Sequence, residues 1–199
     1  MRRVHPLDEL LPAARHRMRA SITMAGSSES AWDAIRALTP RDLVIARTLM
    51  ALRALPGALL GRGEAHSVRG LDRSRPLLEQ FEEAGFRMLV EQRPHLLLAG
   101  AAGQPWRLGG GESFSPRTLH ELREFKEPGF VKIALTFEVA DIGAGVSVST
   151  ETRVEPTDTS AARAFARYWT VIRLASRVVR ADMLRGVKRR CTDRAASAK

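Results

Sequence analysis

Two threonines in a strand-like segment are the first residues whose type and spacing suggest chemistry. Segment 145–156 alternates in polarity, which places one set of its residues on a single face of a strand; that set is Val146, Val148, Thr150, Thr152 and Val154. The threonines are therefore polar residues on an otherwise apolar face. They can be β-branched fillers bonded to backbone, or they can orient the carbonyl or hydroxyl of a ligand. The sequence leaves both interpretations open.

A long C-terminal helix carries the second group of candidates. Its apolar positions recur at alternating spacings of four and three, which keeps them on one face; they are Phe165, Trp169, Ile172, Ser176, Val179, Met183 and Val187. Tyr168 lies at the edge of this stripe, and we interpret Trp169 as part of the core. Ser176 stands where a larger apolar residue is expected, so it permits a close backbone approach or enlarges a cavity.

Trp106 and Phe114 flank a run of three glycines, Gly109–Gly111. They can form the lid of a pocket or pack beneath the loop, and we weigh the two alternatives equally. The glycine run lacks the spacing and the Lys-Ser/Thr ending of a phosphate-binding loop.

No group of residues predicts a catalytic centre. His120 and Glu124 have helical i, i+4 spacing and could form a general acid/base couple, but Leu119, Leu122 and Phe125 take the buried side of that helix. We therefore favour a solvated face there, and by parity we expect Glu151 and Arg153 to be an exposed pair. Histidine spacing predicts no metal site, and no serine lies in a nucleophile elbow. The sequence thus predicts no catalytic residue, metal or cofactor, and more readily a binding protein than an enzyme.

The charge of the chain is strongly positive, at +10 with 32 Lys and Arg residues among 199. Only four of these cations are lysines, a bias typical of bacterial genomes of high GC content, so we interpret the charge as compositional background. Most cations of the C-terminal region fall off the apolar stripe and predict a solvated basic face; they are Arg163, Arg167, Arg173, Arg177, Arg180, Arg185, Lys188, Arg189, Arg190, Arg194 and Lys199. A nucleic-acid partner is disfavoured because exposed aromatic residues are not interleaved with them.

Length and apolar content predict one domain over residues 15–192, with a loosely ordered arm at 1–14 and a basic tail at 193–199. We expect a strand at 15–24, a helix capped by Ser28 or Ser30, a buried helix at 41–55, a mobile loop at 61–75 and a helix at 76–84. Strands follow at 86–92 and 95–102, a helix begins at Ser115-Pro116, and a hairpin spans 130–156.

The lone cysteine, Cys191, and the lack of a long unbroken apolar run predict a soluble cytoplasmic protein with no transmembrane segment.

Several segments resemble the SRPBCC or START-like superfamily, which includes birch-pollen-allergen-like proteins, lipid-transfer START domains and polyketide cyclases and dehydrases. The resemblance rests on residues 28–32, 128–132, 149–154 and 165–172, and on the strands that lead to Trp106. These segments look like bacterial members of that superfamily, most of which lack an assigned function. It implies an α+β helix-grip fold, in which a curved antiparallel β-sheet wraps around a long C-terminal α-helix, with two short helices after the first strand and a hydrophobic cavity.

The first hypothesis is accordingly a protein that binds a small hydrophobic molecule, such as a lipid, polyketide or aromatic metabolite, between the sheet and the C-terminal helix. The predicted ligand-binding residues are Trp106, Phe114, Leu135, Phe137, Thr150, Thr152, Tyr168, Trp169, Ile172 and Ser176. One alternative is a cyclase or dehydratase that uses the same cavity. Another is an interaction module whose basic face binds nucleic acid or an anionic membrane.

Overall fold

A computed structural model describes residues 5–43, 72–107 and 111–197 of the chain, with side chains described as far as residue 193. Within these ranges the strands form one curved antiparallel sheet of six strands, in the order β1-β6-β5-β3-β2, with the short β4 paired to the end of β3. The strands are β1 (His16–Met24), β2 (Arg87–Gln92), β3 (Leu96–Gly103), β4 (Ser113–Phe114), β5 (Val131–Asp141) and β6 (Val146–Pro156). The α+β class that the sequence predicts is confirmed.

The helices lie on both sides of this sheet. Within the described ranges the α-helices are α1 (Pro6–Leu10), α2 (Ser28–Arg36), α3 (Leu77–Glu83), α4 (Leu119–Glu124) and α5 (Thr159–Ser197). The long helix α5 packs across the sheet against α2, β1 and β6.

Asp158 caps the first turn of α5, because its carboxylate accepts a hydrogen bond from the backbone N–H of Ala161 at 2.8 Å. That bond, with others from Ser160 and Gly129, lowers the pKa of Asp158 to about 2.

The inner face of the sheet, which is the face toward α5, holds the main apolar core. Side chains of β5 and β6 such as Phe137, Val146 and Val148 alternate onto this face. They meet Trp32 of α2 and Val187 of α5, both buried. This is the arrangement that the polarity pattern of the hairpin and the stripe of the last helix predict.

The outer face of the sheet is covered by α1 and α4. Leu7 and Leu11 have no exposed surface and pack with Leu98, Leu122 and Ala134. The sequence predicts a loosely ordered arm over residues 1–14, whereas residues 5–11 form part of this second apolar layer. The difference arises because α1 is short and its leucines show no sustained period, so only their contacts with the sheet reveal their role.

The cover also buries charged residues that the sequence places in water. Arg153 is only 2% exposed, and its Nε and Nη1 donate to Glu151 Oε1 and Asp8 Oδ1, each at 2.6 Å. The expectation of an exposed Glu151–Arg153 pair is therefore wrong. Parity assigns both residues to the outer face correctly, but that face lies beneath α1 instead of facing solvent.

Most predicted element boundaries agree with the structure to within a few residues. The helix predicted from Ser115-Pro116 begins at Leu119, where Thr118 is the cap. The predicted helix at 41–55 begins as a 3-10 turn, Pro40–Asp42, and its residues from 44 onward lie outside the described ranges, as do residues 61–71 of the predicted mobile loop. Residues 193–197 of the predicted tail continue α5.

Candidate functional site

A buried arginine lies in the middle of the interface between α5 and the sheet. Arg180 extends from α5 to β6, where its Nη1 donates to Thr150 Oγ1 at 2.9 Å and its Nη2 donates to Thr152 Oγ1 at 2.6 Å. The two threonines are two residues apart on one strand, so their hydroxyls point to the same face and can both meet one guanidinium. Since each hydroxyl accepts a bond from Arg180, its own hydrogen is directed elsewhere.

In the described part of the chain, no carboxylate is bonded to Arg180. The residue is 9% exposed, and burial lowers the pKa of Arg180 to about 10, while the negative charge of Glu151 opposes that shift. Glu151 lies on the outer face, where it is bonded to Arg153. Among the described residues the buried Nε of Arg180 has no hydrogen-bond partner. A buried cation without a paired anion is unusual, because its desolvation is not compensated.

The surroundings of Arg180 separate two apolar clusters. One cluster contains Phe137, Val148, Met183 and Val187, and the other is built on Val131, Val154 and Phe165. Five residues between them belong to neither cluster, and we call this set the central stretch; it consists of Thr150, Thr152, Ile172, Ser176 and Arg180.

Three members of the central stretch retain some solvent exposure. Thr152, Ile172 and Ser176 are all half-buried, although they face the interior by their position on β6 and α5. Across the sheet, Thr152 pairs in register with the half-buried Leu135, which pairs in turn with Ala99. The middle of the interface is therefore partly accessible to solvent.

An aromatic cluster closes one end of the central stretch. Phe165 is surrounded by His16, Trp106, Tyr168 and Trp169, with ring centroids 5.0, 6.3, 5.9 and 5.8 Å from its own. Burial, and secondarily the charge of Arg15, lowers the pKa of His16. The neutral imidazole is therefore favoured, which suits an apolar surface.

The structure brings most of the predicted ligand-binding residues to this interface. Thr150 and Thr152 bond Arg180, Leu135 and Phe137 pair with them in the sheet register, and three others belong to the aromatic cluster, namely Trp106, Tyr168 and Trp169. Ile172 and Ser176 are half-buried on α5 between that cluster and Arg180.

Phe114 is the exception among the predicted residues. It pairs with Ala102 in the register and stacks on Phe125 with centroids 4.7 Å apart. Phe125 follows α4, which covers the outer face. Phe114 therefore packs with residues of that layer and does not adjoin the aromatic cluster.

Arg180 is the residue that sequence reasoning misses. It is grouped there with the cations of a solvated face, and this assignment is wrong. A signal was available, because Arg180 follows Ser176 by four residues and precedes Met183 by three, which is the spacing of the buried stripe. Arginine is almost never fully buried, so its type outweighs its position when the sequence is interpreted alone.

The other candidate groups do not converge with this site. His120 and Glu124 are exposed on α4, as the sequence predicts. Within the described ranges, no three His, Cys, Asp or Glu side chains are grouped so that they could hold a metal ion. A shallow depression of about 350 Å³ on the last turns of α5 is lined by Arg185, Lys188, Arg189, Thr192 and Asp193.

No model of a known protein family matches the chain, and no curated protein shows significant similarity to it. In the part of the chain that the structure describes, none of the helices combines the length and the apolar character that a membrane crossing needs.

Proposed function

We propose that the chain binds a small hydrophobic molecule, such as a lipid, polyketide or aromatic metabolite, at the central stretch between α5 and the sheet. The observation that carries the proposal is the half-buried state of Leu135, Ile172 and Ser176 in the middle of an interface whose two ends are apolar clusters. Ligand sites are commonly apolar surfaces with a few placed polar groups. Thr150 and Thr152 are such groups.

The proposal also includes the helix-grip architecture of the START-like superfamily. A curved antiparallel sheet packed on a long C-terminal helix, with α2 directly after the first strand, supports this assignment. The resemblance of the sequence segments adds to it. Because one such fold can host carriers, sensors and enzymes, the function is argued from the interface and not from the fold.

The test is ligand binding by the full chain and by a variant in which the central stretch is filled. Intrinsic fluorescence is a suitable readout, because Trp106 and Trp169 lie in the aromatic cluster beside the proposed site. Titration with fatty acids, fatty alcohols and flavonoids should change the emission at micromolar concentrations. The Ser176→Phe variant should fold normally and lose this response, because the added ring occupies the ligand's space.

Ala166→Phe is the matched control, since Ala166 is exposed on the same helix. It adds a larger side chain of the same kind without entering the interface. The proposal fails if no probe binds the wild-type chain, or if Ser176→Phe binds the probes as the wild type does.

A further inference from the structure

We infer that the ligand carries a carboxylate, or a similar acidic group, and that Arg180 binds it. This inference rests on the proposed function and specifies its ligand class. It begins from a buried guanidinium whose hydrogen bonds, among the described residues, go to the neutral hydroxyl groups of Thr150 and Thr152. Neutral acceptors satisfy hydrogen-bonding geometry but leave the positive charge uncompensated.

The unused edge of the guanidinium has the geometry for an acid. The bonds from Nη1 and Nη2 to the two threonines fix the plane of the group. Nε, which is buried and unpartnered among the described residues, lies beside Nη2. In any guanidinium the N–H of Nε and the neighbouring hydrogen of Nη2 point in parallel, and this is the edge with which arginine binds a carboxylate bidentately.

The carboxylate that adjoins the two threonines on β6 belongs to the other side of the sheet. Glu151 lies between the two threonines on β6, so its side chain points to the outer face. There it bonds Arg153 at 2.6 Å and lies 3.7 Å from His5. Glu151 moderates the charge of Arg180 through the sheet but is not positioned to bond it.

The residues next to Arg180 indicate the rest of the ligand. Ile172, Ser176 and the aromatic cluster extend along α5 on one side, and Leu135 lies beside Thr152 on the sheet. An acid with an apolar body would place its carboxylate at Arg180 and its body along this surface. Fatty acids and aromatic acids share this chemistry.

The experiment compares each acid with its alcohol on the full chain at neutral pH. The probes are decanoate with 1-decanol and 3-phenylpropanoate with 3-phenylpropanol, so that aliphatic and aromatic bodies are tested separately. The variants are Arg180→Gln and Arg177→Gln, which remove the same charge from a buried and an exposed position of α5. Binding is measured by calorimetry and by tryptophan fluorescence.

We expect the wild type to bind at least one acid more tightly than its alcohol. Arg180→Gln should weaken that acid roughly tenfold to a hundredfold, which is the range of a charge-assisted hydrogen bond, and leave the alcohol within about twofold. Arg177→Gln should change neither. If Arg180→Gln does not fold, Arg180→Lys replaces it, because this change keeps the charge and removes the bidentate edge; weaker acid binding is again expected.

Two results overturn the inference in distinguishable ways. Equal binding of acid and alcohol, with no effect of the Arg180 variants, removes the role of Arg180 and leaves the proposed function standing. Failure of the wild type to bind any of the four probes overturns both proposals.

Discussion

Replacing Arg180 with methionine should make the ligand-free protein more stable. Burial lowers the pKa of Arg180 to about 10, well below the usual value for arginine, so the charged form is disfavoured in the folded state relative to the unfolded state. At about 1.4 kcal/mol per pKa unit, the shift corresponds to a penalty of about 3 kcal/mol. Neutral pH is below both values, so the whole penalty is present there.

Methionine has a similar length and carries no charge, so it should recover part of this free energy. The bonds to Thr150 and Thr152 are lost, and together with imperfect packing this should offset some of the gain. We expect the free energy of unfolding to rise by about 1 to 3 kcal/mol, as it does when other buried ionic groups are replaced by apolar ones. For a chain of this size, each 1 kcal/mol raises the melting temperature by about 2 to 4 °C.

The assay is urea denaturation at pH 7.5, followed by circular dichroism on protein refolded from denaturant to remove any bound ligand. Arg177→Met is the matched control, because Arg177 is exposed on the same helix, and its effect should stay within about 0.5 kcal/mol. If Arg180→Met instead destabilises the protein by more than about 1 kcal/mol, the charge is compensated within the chain. The premise of the carboxylate site would then be refuted.

Three further changes test the outer layer and the cap of α5. Glu151→Gln should lower the free energy of unfolding by about 3 kcal/mol, because it leaves the buried Arg153 with a single carboxylate partner. Leu7→Ala should also cost about 3 kcal/mol, since Leu7 is fully buried against the sheet. Asp158→Ala should destabilise the protein at neutral pH, and the difference from the wild type should disappear as the pH falls through 3.8 toward 2.

Each of these changes has a control and an outcome that contradicts it. Glu124 forms an exposed ion pair with Lys126, so Glu124→Gln should leave the free energy of unfolding unchanged. If Glu151→Gln also left it unchanged, the buried network would contribute nothing to stability. Leu119→Ala is the control for Leu7→Ala, because Leu119 is 38% exposed. If both variants lost the same free energy of unfolding, α1 would not be part of the core. The pKa of Asp158 is depressed in the folded state, so its contribution depends on the ionised carboxylate. If the stability of Asp158→Ala still differed from that of the wild type by the same amount at pH 2, the ionised cap would not be the cause of the difference.

Local pattern is sufficient to predict the hairpin and the direction of its side chains. The alternation in β6 places Thr150 and Thr152 on the apolar face, and the structure confirms that both hydroxyls point to α5. The stripe of α5 likewise predicts the burial of Phe165, Met183 and Val187. These features depend on the period of the element alone, and the period can be measured in the sequence.

Local pattern does not show which face of an element is covered by a distant segment. Glu151 and Arg153 alternate with the threonines as an outward, polar set, and this is correct, but α1 lies about 140 positions earlier and covers them. Phe114 adjoins the glycine run in sequence, yet its pairing with β3 takes it to the layer around α4.

The sequence by itself therefore determines the order of elements, the polar and apolar faces of the hairpin and the stripe of α5, because each follows from the geometry of one strand or helix. Only the tertiary structure decides that Arg180 is buried. Its contact with β6 joins residues 28 and 30 positions apart, and its desolvation depends on every element packed around it. Because burial, and the pairing of Arg180 with neutral hydroxyls, are properties of the assembled interface, the candidate site becomes evident only after the fold is complete.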